Sequence, residues 1–467
     1  MNEETVMLTE MLDEPRLSAE GARELLDARR YAELKQATEH LCAPDLSEVM
    51  QDLPSEYHTR FFRLLTKETA AETFVELPPD MQEVIVRSFN DRELSDMLEE
   101  IYLDDTVDLI EEMPANVVRR IMKASTPEDR ATIRQLLGYP KDSAGSIMTT
   151  EYVRFRKDMT VREALRHIRE VAIDKETIYT CYVTEADRTL CGIVTAKSLL
   201  ISSRDTLLSA IMEEDVIVAH TEDDKETVAD LFEKYGFLAL PVVDRERRLV
   251  GIVTVDDAMD VLRSEREEDF AKMAAITPSS TPYLKTKVSN LWKSRIPWLM
   301  ILMISATFSS MILNVFESAL PTVLILFVPM LMDTGGNSGG QTSVTVIRGL
   351  SLGEITYRDA VRVLRKELLV GLLCGVSLAV VAFGKVLLVD RLIMGNPEVT
   401  VAVALTVALA MLVSIVVAKA IGSLMPLLAG RLGFDPAVLA SPFITTVVDA
   451  LALLLYFAIA SVIPLGI

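Results

Sequence analysis

The sequence predicts a multi-domain chain: an all-α superhelical N-terminal domain, a twice-repeated α/β module, a long connecting helix and a five-span α-helical transmembrane domain. Three observations predict it. Charge is divided unevenly: residues 285–467 hold 13 Lys+Arg and 9 Asp+Glu, a net of +4, which leaves −25 on residues 1–284. Apolar stretches long enough to cross a bilayer as helices stand out in the second part. Between these regions, Leu190-Cys191-Gly192-Ile193-Val194-Thr195 returns at an offset of 59 as Leu249-Val250-Gly251-Ile252-Val253-Thr254.

Residues 1–138 read as helix throughout. Val49-Met50-Gln51-Asp52-Leu53-Pro54, Phe74-Val75-Glu76-Leu77-Pro78 and Leu109-Ile110-Glu111-Glu112-Met113-Pro114 each end an amphipathic helix before a proline, which can open the next helix at its first position. Stacked short helix pairs predict a solenoid-like domain. Its repeat is irregular, because the prolines are spaced by 24 and then 36 residues.

Within residues 139–262 each copy of the repeat reads strand, turn, strand, helix. The strands before the turns are Thr180-Cys181-Tyr182-Val183 and Ala239-Leu240-Pro241-Val242. The turns differ, Glu185-Ala186-Asp187-Arg188 and Asp244-Arg245-Glu246-Arg247. This pattern resembles a paired CBS module, with copies at 139–202 and 203–262. Many CBS pairs bind adenine nucleotides through a carboxylate three residues past the Thr. Asp257 fits that position in the second copy and Ser198 stands there in the first, so the resemblance implies one complete ATP site. A purely dimerising pair fits the same residues. No Walker-type phosphate loop occurs, which leaves ATP hydrolysis unsupported. Val255 to Phe270 contains no helix breaker and predicts one connecting helix within 256–283, with Asp257, Asp260 and Glu268 on one face. Such a stripe suits divalent ions or is a solvated face.

The spans of the domain at 284–467 are expected at about 296–315, 319–345, 367–389, 399–427 and 440–465. Lys and Arg set the orientation. Lys285, Lys287, Lys293 and Arg295 precede the first span, Arg348, Arg358, Arg362, Arg365 and Lys366 follow the second, and Arg431 follows the fourth. The opposite loops carry Glu317 and then Asp390, Arg391 and Glu398. The N-terminus is therefore expected in the cytoplasm and the C-terminus outside an inner or plasma membrane. Met1-Asn2-Glu3-Glu4 lacks a signal pattern, so the spans act as the membrane signal. The cysteines (Cys42, Cys181, Cys191, Cys374) have no metal-ligand spacing and suit a reducing compartment.

The second span contains Asp333-Thr334-Gly335-Gly336-Asn337-Ser338-Gly339-Gly340-Gln341-Thr342-Ser343, a poor surface for lipid. It suits close helix packing or a polar pore wall. Asp449 sits alone in the apolar fifth span. An ionised carboxylate at such depth costs roughly 2.5–3.5 kcal/mol, and no Lys or Arg follows it. A cation is the simplest partner. Asp435, in Gly433-Phe434-Asp435-Pro436-Ala437, lies near the cytoplasmic mouth of the same path or caps the fifth helix. The −25 first part argues against nucleic acid, which needs basic patches. It suits contact with cations, although solubility accounts for it equally well.

Together these residues resemble the MgtE family of magnesium channels and transporters over nearly the whole chain. The resemblance is carried by Tyr139-Pro140-Lys141-Asp142-Ser143-Ala144-Gly145-Ser146-Ile147-Met148-Thr149, by Gly335-Gly336-Asn337-Ser338-Gly339 with Arg348-Gly349-Leu350, and by Asp435-Pro436-Ala437 with Pro442 and Asp449. It implies a homodimer in the lipid bilayer with the pore on the twofold axis. Asp449 then coordinates hydrated Mg2+, Asn337 lies near the narrow gate, and Asp269 with Asp435 holds an ion that locks the connecting helix. Asp224, Glu226, Asp257, Asp260, Glu265 and Glu268 are implied as regulatory ligands, with Asp104 and Asp105 facing the CBS acids across an ion. The expected function is a channel, not an enzyme, that imports Mg2+, is closed by cytosolic Mg2+ and is tuned by ATP. A proton- or sodium-coupled carrier wants the same intramembrane carboxylate. An intramembrane protease does not fit: Val447-Val448 precede Asp449, all four histidines lie before residue 285, and no H-E-x-x-H occurs.

Overall fold

The computed structural model describes residues 17–172, 175–278, 283–284, 286–317, 321–439 and 441–464. Lys285, the Met1-Asn2-Glu3-Glu4 terminus and the first residues expected for the second span lie outside them. The chain forms two compact units that divide between Arg263 and Ser264.

The first unit begins with ten described helices, α1 (Ala19–Asp27) to α10 (Pro127–Leu136). Its core includes Leu34, Phe61, Phe74, Ile85 and Ile121, each at most 1% exposed. The three prolines end their helices as expected but do not occupy the first position of the next. Pro54, Pro78 and Pro114 are N-caps with extended backbone, preceding helices that start at Ser55, Pro79 and Ala115. The residue before a proline is driven out of helical geometry, so Leu53 and Met113 are extended too. One of these helices, α8 (Leu103–Glu112), positions Asp104 and Asp105 in its first turn.

Two three-stranded sheets follow, β1 (Tyr152–Arg156), β2 (Thr177–Thr184), β3 (Leu190–Thr195) and β4 (Ala219–His220), β5 (Ala239–Val243), β6 (Leu249–Thr254). The outer pairs β1–β2 and β4–β5 are parallel and the hairpins antiparallel. Sequence reading found the hairpins and missed β1 and β4, which lie before each copy's first helix and outside the repeated six residues. The two turns that differ in sequence share one backbone: Arg188 and Arg247 both take φ near +60 to +70°. In each, an aspartate accepts from a backbone N–H two residues on, Asp187 from Thr189 and Asp244 from Glu246, both at 3.0 Å. The repeated glycines have a shared cause. A Cβ on Gly251 would lie 2.6 Å from Met148 Sδ, and one on Gly192 would lie 2.6 Å from the Glu213 carbonyl oxygen. The entry segment of each copy crosses the second hairpin strand of the other, pairing Thr149 with Ile252 and Glu213 with Ile193.

Helices α11 (Val161–Val171), α12 (Ala196–Ile201) and α13 (Lys225–Tyr235) belong to the two copies, and the connecting helix, α14, runs Val255–Met273. Ala275, with φ 53°, lies just past its end. In the second unit, α15 (Val288–Glu317), α16 (Val328–Ser351), α17 (Ala360–Lys385), α18 (Val401–Arg431) and α19 (Ser441–Val462) correspond to the expected spans. Among the described residues, four segments are long and apolar enough to cross a membrane: Val288–Phe316, Tyr357–Ile393, Val401–Arg431 and Pro442–Val462. The second expected span, α16, is not among them. Its glycines and amides lower its hydropathy, and its apolar start is a 3-10 turn, Thr322–Phe327.

Candidate metal centres

Helix α16 presents two faces. Gly335, Gly336, Gly339 and Gly340 are buried on one. Their lack of side chains lets backbones approach: a Cβ on Gly336 would lie 2.6 Å from Thr445 Cγ2 and 2.9 Å from Asp449 Oδ1 of α19. Asp333, Asn337, Gln341, Thr345 and Arg348 are exposed on the other face, and Asn337, Gln341 and Thr345 line an open groove with Gly340 and Val344. Helix α16 thus carries a closely packed glycine face and an exposed polar face. Asp449 is half-buried at the border of the two faces: it is in electrostatic contact with Asp333 of the exposed face, and its buried Oδ1 has no hydrogen-bond partner among the described residues.

A second acidic group lies where α14 meets the loop before α19. Asp269 Oδ2 accepts from the Ser351 hydroxyl at 3.3 Å. Asp435 Oδ1 accepts from the Ala437 N–H at 2.8 Å, capping the turn Pro436–Leu439. Its Oδ2 lies 2.7 Å from Lys272 Nζ, which also reaches Glu268 Oε1 at 2.6 Å. Burial, and then the nearby Asp435 charge, raises the Asp269 pKa. Asp435 therefore acts both as a cap and as a charged partner of α14.

The third group is built on the first unit. Asp104 of α8, Glu151 before β1 and Glu176 before β2 each place one carboxylate oxygen within 4.8 Å of the others. The Leu103 N–H donates to Glu151 Oε2 at 3.2 Å, while Asp104 Oδ1 and Glu176 Oε2 are buried without a hydrogen-bond partner among the described residues. Asp257, at the start of α14, accepts from the Thr254 hydroxyl at 2.6 Å and is in electrostatic contact with Asp104 and Glu176. Burial, followed by like charge, pushes Glu176 and Asp105 up to about 8 and raises Asp104 and Asp257. Such a cluster needs protons or a cation to be stable. All-oxygen donors suit a hard divalent cation.

The structure thus gathers Asp104, Asp105 and Asp257, and it gathers Asp269, Glu268 and Asp435. It separates others. Asp224 is the N-cap of the helix Lys225–Tyr235, accepting from Glu226 and Thr227 N–H groups, and Glu226 is exposed in that first turn. Asp260 is exposed and faces Glu76 across the first unit, and Glu265 lies farther along α14. Sequence reading missed Glu151 and Glu176, which carry no local pattern. It also missed Lys272, whose i,i+4 spacing from Glu268 was a readable signal.

A family described as a divalent cation transporter, MgtE, matches residues 328–459. The MgtE intracellular N domain matches 41–142, and CBS domains match 144–205 and 208–264. The magnesium transporter MgtE of Thermus thermophilus is 37% identical over 433 residues, 91% of this chain and 94% of that one. That of Bacillus subtilis is 30% identical over 443 residues, 94% and 95% of the two chains. A crystal structure of the cytosolic domain of the Mg2+ channel MgtE in complex with ATP is 37% identical, with a TM-score of 0.50. The match covers 52% of this chain and 99% of that one.

Proposed function

The chain belongs to the MgtE family, and from that premise we propose that it is a magnesium channel of a cell membrane, closed by cytosolic Mg2+. Asp449 lines the conduction path. One carboxylate cannot surround an ion, so two chains face each other across a twofold axis, with the exposed polar face of α16 turned toward that axis. In this arrangement α16 is the second of five spans, because its polar side meets water and protein instead of lipid. Basic loops place the N-terminus in the cytoplasm and the C-terminus outside.

Mg2+ gives up its water reluctantly. Asp449 and Asn337 therefore bind the hydrated ion through its water shell, Asn337 near the narrow point. Entry is driven by the membrane potential, about 2.3 kcal/mol per charge per 100 mV. Asp269 and Asp435 hold an ion that fixes α14 at the cytoplasmic mouth. Asp104, Asp105, Asp257, Glu151 and Glu176 are the sensing ligands. Asp224, Glu226, Asp260, Glu265 and Glu268 add negative charge that draws ions to the same region. At high Mg2+ the neutralised acids let the first unit compact and α14 closes the pore, and at low Mg2+ repulsion reopens it. ATP at Asp257 tunes that threshold.

The single observation that supports conduction best is the buried, unpartnered Asp449 Oδ1 beside Gly336. Mg2+ uptake into dye-loaded proteoliposomes tests it. Asp449→Ala should reduce uptake to the level of empty vesicles, whereas undiminished uptake rejects the proposed path.

A further inference from the structure

A polar group inside the second unit joins three helices and takes no part in the path described above. Lys419 of α18 is 7% exposed. Its Nζ donates to Thr342 Oγ1 of α16 at 3.0 Å and lies 3.8 Å from Glu367 Oε2 of α17. The Thr342 hydroxyl lies 3.1 Å from the same Glu367 oxygen and 3.2 Å from the Ser338 carbonyl oxygen, its alternative acceptor. The slot for the lysine stem is made by Gly371, one turn beyond Glu367: a Cβ there would lie 3.3 Å from Lys419 Cδ. Both charged groups lie within helices of spanning length, where each is costly. A buried pair of this kind gives little net stability compared with apolar side chains of the same size. Its presence calls for another role.

Helix α16 supplies one. Gly335, Gly336 and Gly339 let it approach α18 and α19 closely, but a glycine face has no side chains to key into a neighbour. Such a face fixes distance better than rotation. Thr342 immediately follows Gln341 of the exposed polar stripe, so a bond to Thr342 sets the direction of that stripe. We propose that Lys419 is a positioning residue: with Glu367 and Thr342 it locks the rotation of α16 and so aims Asn337 and Gln341 into the conduction path. The inference rests on the reading of that path as the route of Mg2+.

Variants separate positioning from stability. Lys419→Met leaves Glu367 buried and unpaired and should lower the melting temperature. Lys419→Met with Glu367→Gln removes the lone charge and should restore most of the melting temperature, yet the anchor is still missing. Mg2+ flux in that double variant should fall about tenfold, as expected when binding groups are misaimed by a fraction of an ångström, and its preference for Mg2+ over Ca2+ should fall with it. Thr342→Val, which strands no full charge and keeps the side-chain shape, should shift the same preference. Wild-type flux and preference in both the double variant and Thr342→Val overturn the proposal. Asp449→Ala, measured alongside, keeps the two readings apart. Loss of uptake there with unchanged Lys419 variants rejects the anchor alone, and unchanged uptake there rejects the path itself.

Discussion

One acidic site in the first unit and one in the second are built in opposite ways. In the first unit Asp104, Glu151 and Glu176 crowd within 4.8 Å, and their like charges repel one another. In the second, Asp449 is set in an apolar helix, with the backbone of Gly336 pressed against it. Here the cost is desolvation and the surroundings are closely packed helices. A crowded cluster responds to cation concentration by changing its own stability. A single acid on a closely packed wall offers a site that an ion can enter and leave. The difference teaches that charge alone does not assign a role, whereas the spacing of the charges and the packing of their support do.

The largest expected effect tests the single acid. Asp449→Ala should abolish Mg2+ flux while leaving Mg2+-dependent protection of the first unit from limited proteolysis unchanged, which separates conduction from sensing. Next is the wall itself. Gly336→Ala puts a methyl against Thr445 and Asp449, and overpacking of this kind costs about 1–3 kcal/mol. Flux should drop several-fold, whereas Gly384→Ala, with nothing within 4 Å, should leave flux unchanged in the same assay.

The responsive cluster gives a pH dependence. Carboxyls raised to about 8 are neutral in the folded state over a range where they are ionised when unfolded. Their favourable contribution is complete below the ordinary carboxyl range near 4 and is lost as pH rises through about 8. Without Mg2+, the melting temperature of the first unit should therefore fall between those limits, and millimolar Mg2+ should flatten the slope. Glu176→Gln with Asp104→Asn should raise the metal-free melting temperature by about 2–4 °C per kcal/mol gained and weaken its response to Mg2+. The smallest effect concerns Asp224. As an N-cap it should cost about 0.5–2 kcal/mol on replacement by Ala and, through the lost charge alone, move the Mg2+ midpoint only slightly, whereas a shift as large as that of Glu176→Gln would return it to the ligand set.

Much of this arrangement was legible in the sequence. Asp449 was found because a carboxylate is conspicuous among apolar residues, and the hairpins because six residues repeat almost unchanged. Asp104, Asp105 and Asp257 were reached through family resemblance, and their meeting is a tertiary event without a local signature. Glu151 and Glu176 were missed for the same reason, since they lie just before strands whose packing alone brings them to α8. Lys419 was overlooked because a lysine within a long apolar run reads as an isolated interruption. Its partners lie 52 and 77 residues away in sequence, at Glu367 and Thr342. Asp224 is one acid among many in a strongly acidic chain, and the sequence does not reveal that one of its carboxylate oxygens caps the helix Lys225–Tyr235.

The most direct test of the whole account is Mg2+ flux through proteoliposomes with the first unit facing outward, measured while Mg2+ on that side is raised from micromolar to tens of millimolar. The account predicts flux that depends on Asp449 and shuts off as outside Mg2+ rises, with the shut-off displaced to higher concentration by Glu176→Gln. Flux that needs Asp449 but ignores Mg2+ on that side would contradict it, because the crowded acids would then have no hold on the pore.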